Sequence, residues 1–232
     1  MAQPKHIPMI FNQEMVLALL SGKKTVTRRH VKRNTRDTEW GGILKPNELA
    51  GDINNGEFAN AYIQPGDLIW VRETWGVVNH SVNEHGEFTD WTPDRPAREV
   101  KEMKYGKGYY TGHAIYRADG EMAWCDDYGD ETSAWKPSIH MPKAASRLTL
   151  RVKNVTIEKL KEITDEQAVS EGMPTDEEAQ KLALDSGLSW YNKPVVWFKS
   201  LWNQLYGDWD KNPWVWCIEF EVIKKNVELC NG

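Results

Sequence analysis

The chain has 232 residues, 40% of them hydrophobic and 11% aromatic, which is enough to bury a sizeable core. Its formal charge of -5 repels polyanions on average, so a nucleic-acid partner has to be met by a local basic patch. Three cysteines without CxxC spacing argue against a disulfide framework and a structural zinc site, and no stretch approaches the roughly 20 apolar residues of a membrane span.

Residues Met1 to Pro8 carry Lys5 but no apolar run, so the expectation is a soluble, unprocessed protein of a reducing cytosol. Asn12 to Leu20 then reads as a short helix, with Asn12 as cap, Glu14 in the first turn and Met15/Leu19 and Val16/Leu20 as i,i+4 pairs. Gly22 stops it. Thr25-Val26-Thr27-Arg28 is β-branched and alternating, which leaves Lys23 and Lys24 where a helix end passes into a strand. The basic run extends from Ser21 to Arg36 through Lys23, Lys24, Arg28, Arg29, Lys32 and Arg33 with no acidic residue. Its plain reading is a solvated loop, and its place beside a structured turn favours a binding patch.

Pro65-Gly66-Asp67 is a turn, and Leu68 to Trp75 a second strand, with Leu68, Trp70 and Arg72 on one side and Ile69, Val71 and Glu73 on the other. From about Asn79 to Met141 the chain is polar and weakly periodic, and Gly112 to Ala118, Asp119-Gly120 and Glu121 to Cys125 suggest a hairpin. The stretch from Gly76 to Pro142 reads as an insertion. A core strand begins at Ser146 with Leu148, Leu150 and Val152 and continues past a bulge to Val155 and Ile157. Capping boxes at Thr164/Gln167 and Thr175/Glu178 open helices that end at Gly172 and near Gly187. Pro194 opens another, with rows Trp197/Leu201/Leu205 and Phe198/Trp202/Tyr206 stopping at Gly207. The last strand is Trp214 to Val222, with Trp214, Trp216, Ile218, Phe220 and Val222 on one face, and 224–232 is expected to be a loose tail. Twelve tryptophans belong mostly to the core, a few being available to stack on bases. Short strands with helices between them, rather than in regular alternation, point to an α+β fold built on a mixed β-barrel in a single domain, 1–232.

The string Leu20-Ser21-Gly22-Lys23-Lys24-Thr25-Val26-Thr27-Arg28-Arg29 resembles the opening motif of ASCH domains in the PUA-like superfamily. Pro65 to Val71, Thr164 to Met173 and Val215 to Phe220 agree in kind and order, covering a little under half of the chain. Arg72 to Trp75, Trp135 to Pro142 and Asn212 to Trp216 are similar to a prophage-encoded branch. The resemblance implies a PUA-like (ASCH-type) barrel of about five to six strands with flanking helices and a long insertion. It also implies a cytoplasmic location in a bacterial host. Relatives that deacetylate 4-acetylcytidine use a Lys, a Thr and a Glu, which by motif position fall on Lys24, Thr27 and Glu171. The implied activity is a metal-independent amidohydrolase acting on N-acylated cytidine-like bases. Thr27 would be the nucleophile, Lys24 the base and Glu171 the orienting or relaying carboxylate.

The alternative is a non-catalytic RNA or modified-base binding module. Further alternatives are a ribonuclease and a phage accessory protein that binds a host protein. Candidate ligand-binding residues are Lys23, Arg28, Arg29, Arg72, Glu73, Trp75 and His140. Arg72 and Glu73 are read as a charged pair at a pocket mouth, or more plainly as a rim salt bridge. No metal and no cofactor are expected, since His80, His85 and His113 form no ligand pattern. The expected partner is RNA or a nucleoside, with no membrane, and the chain is read as a monomer or homodimer. Residue by residue, Thr25 and Thr27 are also ordinary strand residues, Lys24 an ordinary helix-end cation and Glu171 a residue before a glycine cap.

Overall fold

The computed structural model describes residues 3–31, 35–125, 131–178 and 193–230. In chain order its principal elements are β1 (His6–Ile10), α1 (Gln13–Leu20), β2 (Val26–His30), α2 (Pro46–Asn54), β3 (Leu68–Arg72) and β4 (Trp75–Val78). They continue with β5 (Arg98–Tyr105), β6 (Gly108–Tyr116), β7 (Thr149–Lys159), α3 (Asp165–Ser170), α4 (Pro194–Leu205) and β8 (Trp214–Ile223). The fold is mixed α+β, with a five-stranded sheet, a three-stranded sheet and few helices. Among the described residues no helix is long and apolar enough to cross a membrane.

The chain divides into two compact units. The first holds Met1–Lys5, Ala18–Asp67 and Arg151–Val222, and the second His6–Leu17, Leu68–Leu150 and Ile223–Gly232. Strand order in the larger sheet is β7-β8-β2 in the first unit and β1-β3-β7 in the second, β7 being divided between Leu150 and Arg151.

In the first unit, α1 ends as its sequence requires. Gly22 takes a positive φ of 75°, its N–H bonds to Leu19 O at 3.1 Å, and Lys23 N–H bonds to Ala18 O at 2.9 Å, so the carbonyls that a helix end leaves open are answered. The strand expected from Thr25 begins at Val26. Lys24 forms an isolated antiparallel bridge with Glu171, and Thr25 N–H bonds to Ser170 O at 2.9 Å, so these two residues pair with the end of α3 instead. α3 opens on the Thr164/Gln167 capping box and closes at Gly172, as its sequence predicts. The Thr175/Glu178 box is formed, while the remainder of the helix expected to run to Gly187 lies outside the described residues. β8 pairs antiparallel with β2, Val215 opposite His30 through Glu219 opposite Val26. Val215 and Cys217 are buried along with Trp216 and Ile218, so the start of β8 is covered on both faces rather than one. On α4, Phe198, Leu201 and Trp202 are buried, whereas Leu205 and Tyr206 at the ends of the two predicted rows stay exposed.

In the second unit, β1 and β3 pair in parallel, His6 opposite Leu68 through Ile10 opposite Arg72. The single strand predicted over Leu68 to Trp75 is two strands. It breaks at Glu73-Thr74, and β4 joins a separate sheet of order β4-β6-β5. The predicted hairpin is also replaced. β6 pairs with β5 around Gly106, Arg117–Asp119 is a 3-10 turn, and Trp124–Cys125 pairs with Glu131–Thr132. The partner strand was hidden because Glu102 sits at φ 47° beside a register shift between Tyr110 and Gly112, and this bulge breaks the period-2 pattern of Val100 and Met103. Trp75, Val100, Met103, Ala114, Tyr116, Met141 and Ala145 pack as the core behind this sheet. The stretch after Lys224 is tied down rather than loose. Asn226 donates to Lys143 O at 2.8 Å and Ser146 O at 2.7 Å, and Val227 is fully buried.

One glycine carries a specific demand. Gly172 has φ 101°, and a Cβ there would stand 2.8 Å from Ala18 Cβ and 3.1 Å from Lys24 Cβ. Both the backbone angle and the space exclude a side chain. Gly172→Ala is expected to cost about 1–3 kcal/mol of stability, read as a lower urea midpoint with unchanged slope.

Candidate functional site

Four charged side chains meet in the first unit. Lys24, at the turn from α1 into β2, is fully buried, and its Nζ donates to Glu171 O at 2.8 Å and to Glu171 Oε2 at 2.6 Å. Arg28, two residues into β2 and also buried, donates from Nη1 to Glu171 Oε1 at 3.1 Å. Its Nε and Nη2 reach Glu158 Oε1, on β7, at 3.1 and 2.6 Å. The Arg28 guanidinium also lies over the ring of Phe198 from α4, 5.7 Å from its centroid. Two cations thus face two carboxylates, and both Glu171 oxygens are bound by different cations.

Burial pulls the Lys24 ammonium below its ordinary range. Glu171 opposes that shift, and Arg29 and Arg28 add to it. Cys217, opposite Arg28 in the β2/β8 register, is pushed by burial from 9.0 to about 12, with Arg28 acting against the shift.

The expected trio of Lys24, Thr27 and Glu171 is therefore assembled in part. Lys24 and Glu171 touch. Thr27 is fully buried, but its Oγ1 has no hydrogen-bond partner, so it is bonded to neither of them. Side chains alternate along a strand, and in β2 Thr27 faces the other way from Arg28, opposite Ile218 rather than Cys217. Lys23 pairs with Glu178 at the surface. Arg29 is half-buried and donates from Nη1 to Arg28 O at 3.3 Å and to the Tyr206 hydroxyl at 3.5 Å. Far from being a solvated loop throughout, the basic run sends two of its members into the core.

The remaining candidates lie in the second unit. Arg72 and Glu73 do not pair with each other. Arg72 donates to Ile139 O and lies over Trp70, 5.4 Å from the ring centroid. Glu73 is buried and held by Arg147, whose Nε and Nη2 each approach a carboxylate oxygen at 2.9 Å. Arg147 also reaches Asp119 at 2.6 Å and stacks 4.0 Å from the Tyr116 centroid. Burial raises Glu73 above its ordinary value, with Arg147 resisting the shift. Trp75 is fully buried in the core of this unit, edge-on to Tyr105 at 5.2 Å, and offers no ring face to a ligand. His140 is exposed in a 3-10 turn.

Glu158, Arg147, Asp119 and Cys217 had no signal in the sequence, because each earns its position from a residue more than 25 places away. Among the described residues no group of three or more His, Cys, Asp or Glu side chains could hold a metal ion. Comparison with protein-family models, curated proteins and solved structures gives no match.

Two outcomes follow from the burial. Arg28 keeps Glu158 when the Glu171 charge is removed, but the wholly buried Lys24 loses its counter-ion, so Glu171→Gln is expected to cost about 3–5 kcal/mol in a denaturant titration. Cys217 keeps its proton in the folded state up to about pH 12, whereas the unfolded thiol ionises near 9.0. Its stabilising contribution is therefore complete below pH 9 and is lost as pH rises towards 12. At pH 9 the native thiol should alkylate only as fast as the chain opens, and after Cys230, as read by peptide mass spectrometry. Prompt labelling of Cys217 would contradict its burial.

Proposed function

We propose that this chain is a nucleoside- or RNA-directed protein built on a PUA-like, ASCH-type barrel. In this reading it works as a metal-independent amidohydrolase on an N-acylated cytidine-like base. The observation that carries it is the Lys24–Glu171 contact, in which a wholly buried amine, lowered by desolvation, is 2.6 Å from a carboxylate. Such an amine gives up its proton more readily than one in water, which is what a general base near neutral pH requires.

In the proposed reaction Thr27 Oγ1 attacks the acyl carbon and its proton passes to the neutral amine of Lys24. The amide C–N bond breaks, and the departing base amine takes that proton. Water then attacks the acyl-threonine, releasing the carboxylic acid and restoring the hydroxyl. Glu171 holds Lys24 in place and stabilises its charged form. Thr27 is suited to the first role because its hydroxyl is committed to no other hydrogen bond. The approach of Thr27 to Lys24 is a movement that the reaction requires.

A second reading, a binding module without catalysis, is favoured by the saturation of Glu171, whose two oxygens are both held by cations. In that case recognition rests on Arg29 with the exposed rings of Tyr62 and Tyr206.

The test is a panel of acylated nucleosides incubated with the purified chain. Free base amine is expected as product, with kcat lowered about 10²- to 10⁴-fold in Lys24→Ala and abolished in Thr27→Val, the circular dichroism of each variant remaining native. No product from any substrate, or full activity in Thr27→Val, removes the amidohydrolase. Salt-dependent RNA binding that survives those substitutions then selects the binding module.

A further inference from the structure

In the second unit a lysine is enclosed by aromatic rings. Lys136 is tied to Trp75, the first residue of β4, by two backbone bonds: Trp75 N–H donates to Lys136 O at 3.2 Å, and Lys136 N–H to Trp75 O at 2.7 Å. Its Nζ stands 5.8 Å from the ring centroid of Trp75 and 5.8 Å from that of Tyr105, the last residue of β5. Tyr110, in β6, supplies a third ring at 5.3 Å. The rings are set as walls rather than as a stack, with Tyr105 at 88° to Trp75 and at 70° to Tyr110. The face of Trp75 that is closed to an outside ligand is thus turned to this ammonium.

Two features of this cage do not suit a primary ammonium. Such a group carries three N–H donors, and among the described residues Lys136 Nζ meets neither a carboxylate nor a hydrogen-bond acceptor, while burial pulls it below its ordinary range. The spacing is also wide. Lys159 Nζ comes within 4.6 Å of the Trp214 centroid, whereas Lys136 Nζ stays 0.7 to 1.2 Å farther from each of its three rings. A gap of that size on every walled side takes an N-methyl group, whose N–C bond is about 1.5 Å long. Methylation keeps the charge, removes the donors and weakens the hydration that burial strips away, so it discards what the cage cannot satisfy and retains the attraction to the rings. Lys136 is half-buried and its stretch of chain belongs to no strand, which leaves the amine within reach of an enzyme.

We propose that Lys136 is an Nζ-methylation site, the methylated ammonium being the ion that the rings of Trp75, Tyr105 and Tyr110 are spaced to hold. The methyl donor is a sulfonium compound, and a separate methyltransferase makes the transfer. Before each transfer the ammonium releases a proton to solvent. The amine lone pair then forms the N–C bond, and the S–C bond breaks with its electrons left on sulfur. The modification fastens the chain around Lys136 to the sheet of β4, β6 and β5. It involves no residue of the charged network in the first unit and stands independently of the amidohydrolase reading.

The first experiment is peptide mass spectrometry of the full chain isolated from the cells that make it. Methylated Lys136 is expected, and an unmodified Lys136 overturns the inference. The second compares the two ions in the cage directly. Lys136→Cys, in a chain carrying Cys125→Ser and Cys230→Ser, is alkylated with bromoethylamine or with bromoethyltrimethylammonium, the buried Cys217 being spared. The trimethylated side chain is expected to raise the melting temperature above that of the primary amine by about 2–4 °C, and Tyr110→Ala to erase the difference. Equal or lower melting of the trimethylated chain, or a gain that survives Tyr110→Ala, overturns the inference. So does binding of free choline to the unmodified chain, which would give the cage to an outside ligand.

Discussion

A lysine ammonium removed from water costs several kcal/mol unless a counter-charge and hydrogen bonds replace its hydration, and in the first unit this requirement is met at Lys24. Glu171 supplies a carboxylate oxygen and its own carbonyl, and Arg28 and Glu158 complete the balance of charge. The surrounding backbone serves that contact. The glycine turn after α1 delivers Lys24, the short α3 ends at Glu171, and Gly172 keeps clear the space that Lys24 Cβ and Ala18 Cβ occupy. A pair so enclosed suits proton transfer, because an amine held out of water and beside a carboxylate gains or loses its proton under control of that partner rather than of the solvent.

The second unit answers a buried carboxylate in the same way and with a different outcome. Glu73 is held in a two-pronged grip by Arg147, which is itself pinned by Asp119 and the Tyr116 ring. Arg147 is charged at any physiological pH, so its bond to Glu73 carries no readily exchanged proton. Chemistry therefore separates the two networks where burial does not. Lysine can act as a base, while arginine holds a carboxylate and shape around it. The strand breaks at Glu73-Thr74, where the buried Glu73 carboxylate is held by Arg147.

Local signals were legible along the chain. The asparagine cap of α1, the capping box of α3, the proline opening α4 and the glycines closing all three were read from short spacings, because each is satisfied within one helical turn. The long strands β7 and β8 were legible for a similar reason, as each carries enough alternating apolar residues, Leu148, Leu150 and Val152 in or beside β7 and Trp216, Ile218 and Phe220 in β8, to mark a strand over a short window. The hairpin of β5 and β6 was not, since one residue at positive φ shifts the phase of the pattern. Of the candidate site, Lys24 and Glu171 were found by resemblance to a motif and do meet. Arg28 stood out only as one basic residue among many, and Glu158 did not stand out at all.

What the sequence determined by itself was the α+β character, the helix ends and the residue types available for chemistry, all of which depend on neighbours a few positions apart. Tertiary structure decided which of the charges go inside and whom they face. A lysine in a basic run looks the same whether it is solvated or buried, and the difference lies in a carboxylate 147 residues further on. It likewise decided that Thr27 and Arg28, adjacent in the chain, serve opposite faces of a strand, and that Trp75 belongs to a core. Long-range pairing of this kind is governed by desolvation, which is a property of the folded surroundings and is not written in the spacing of residues.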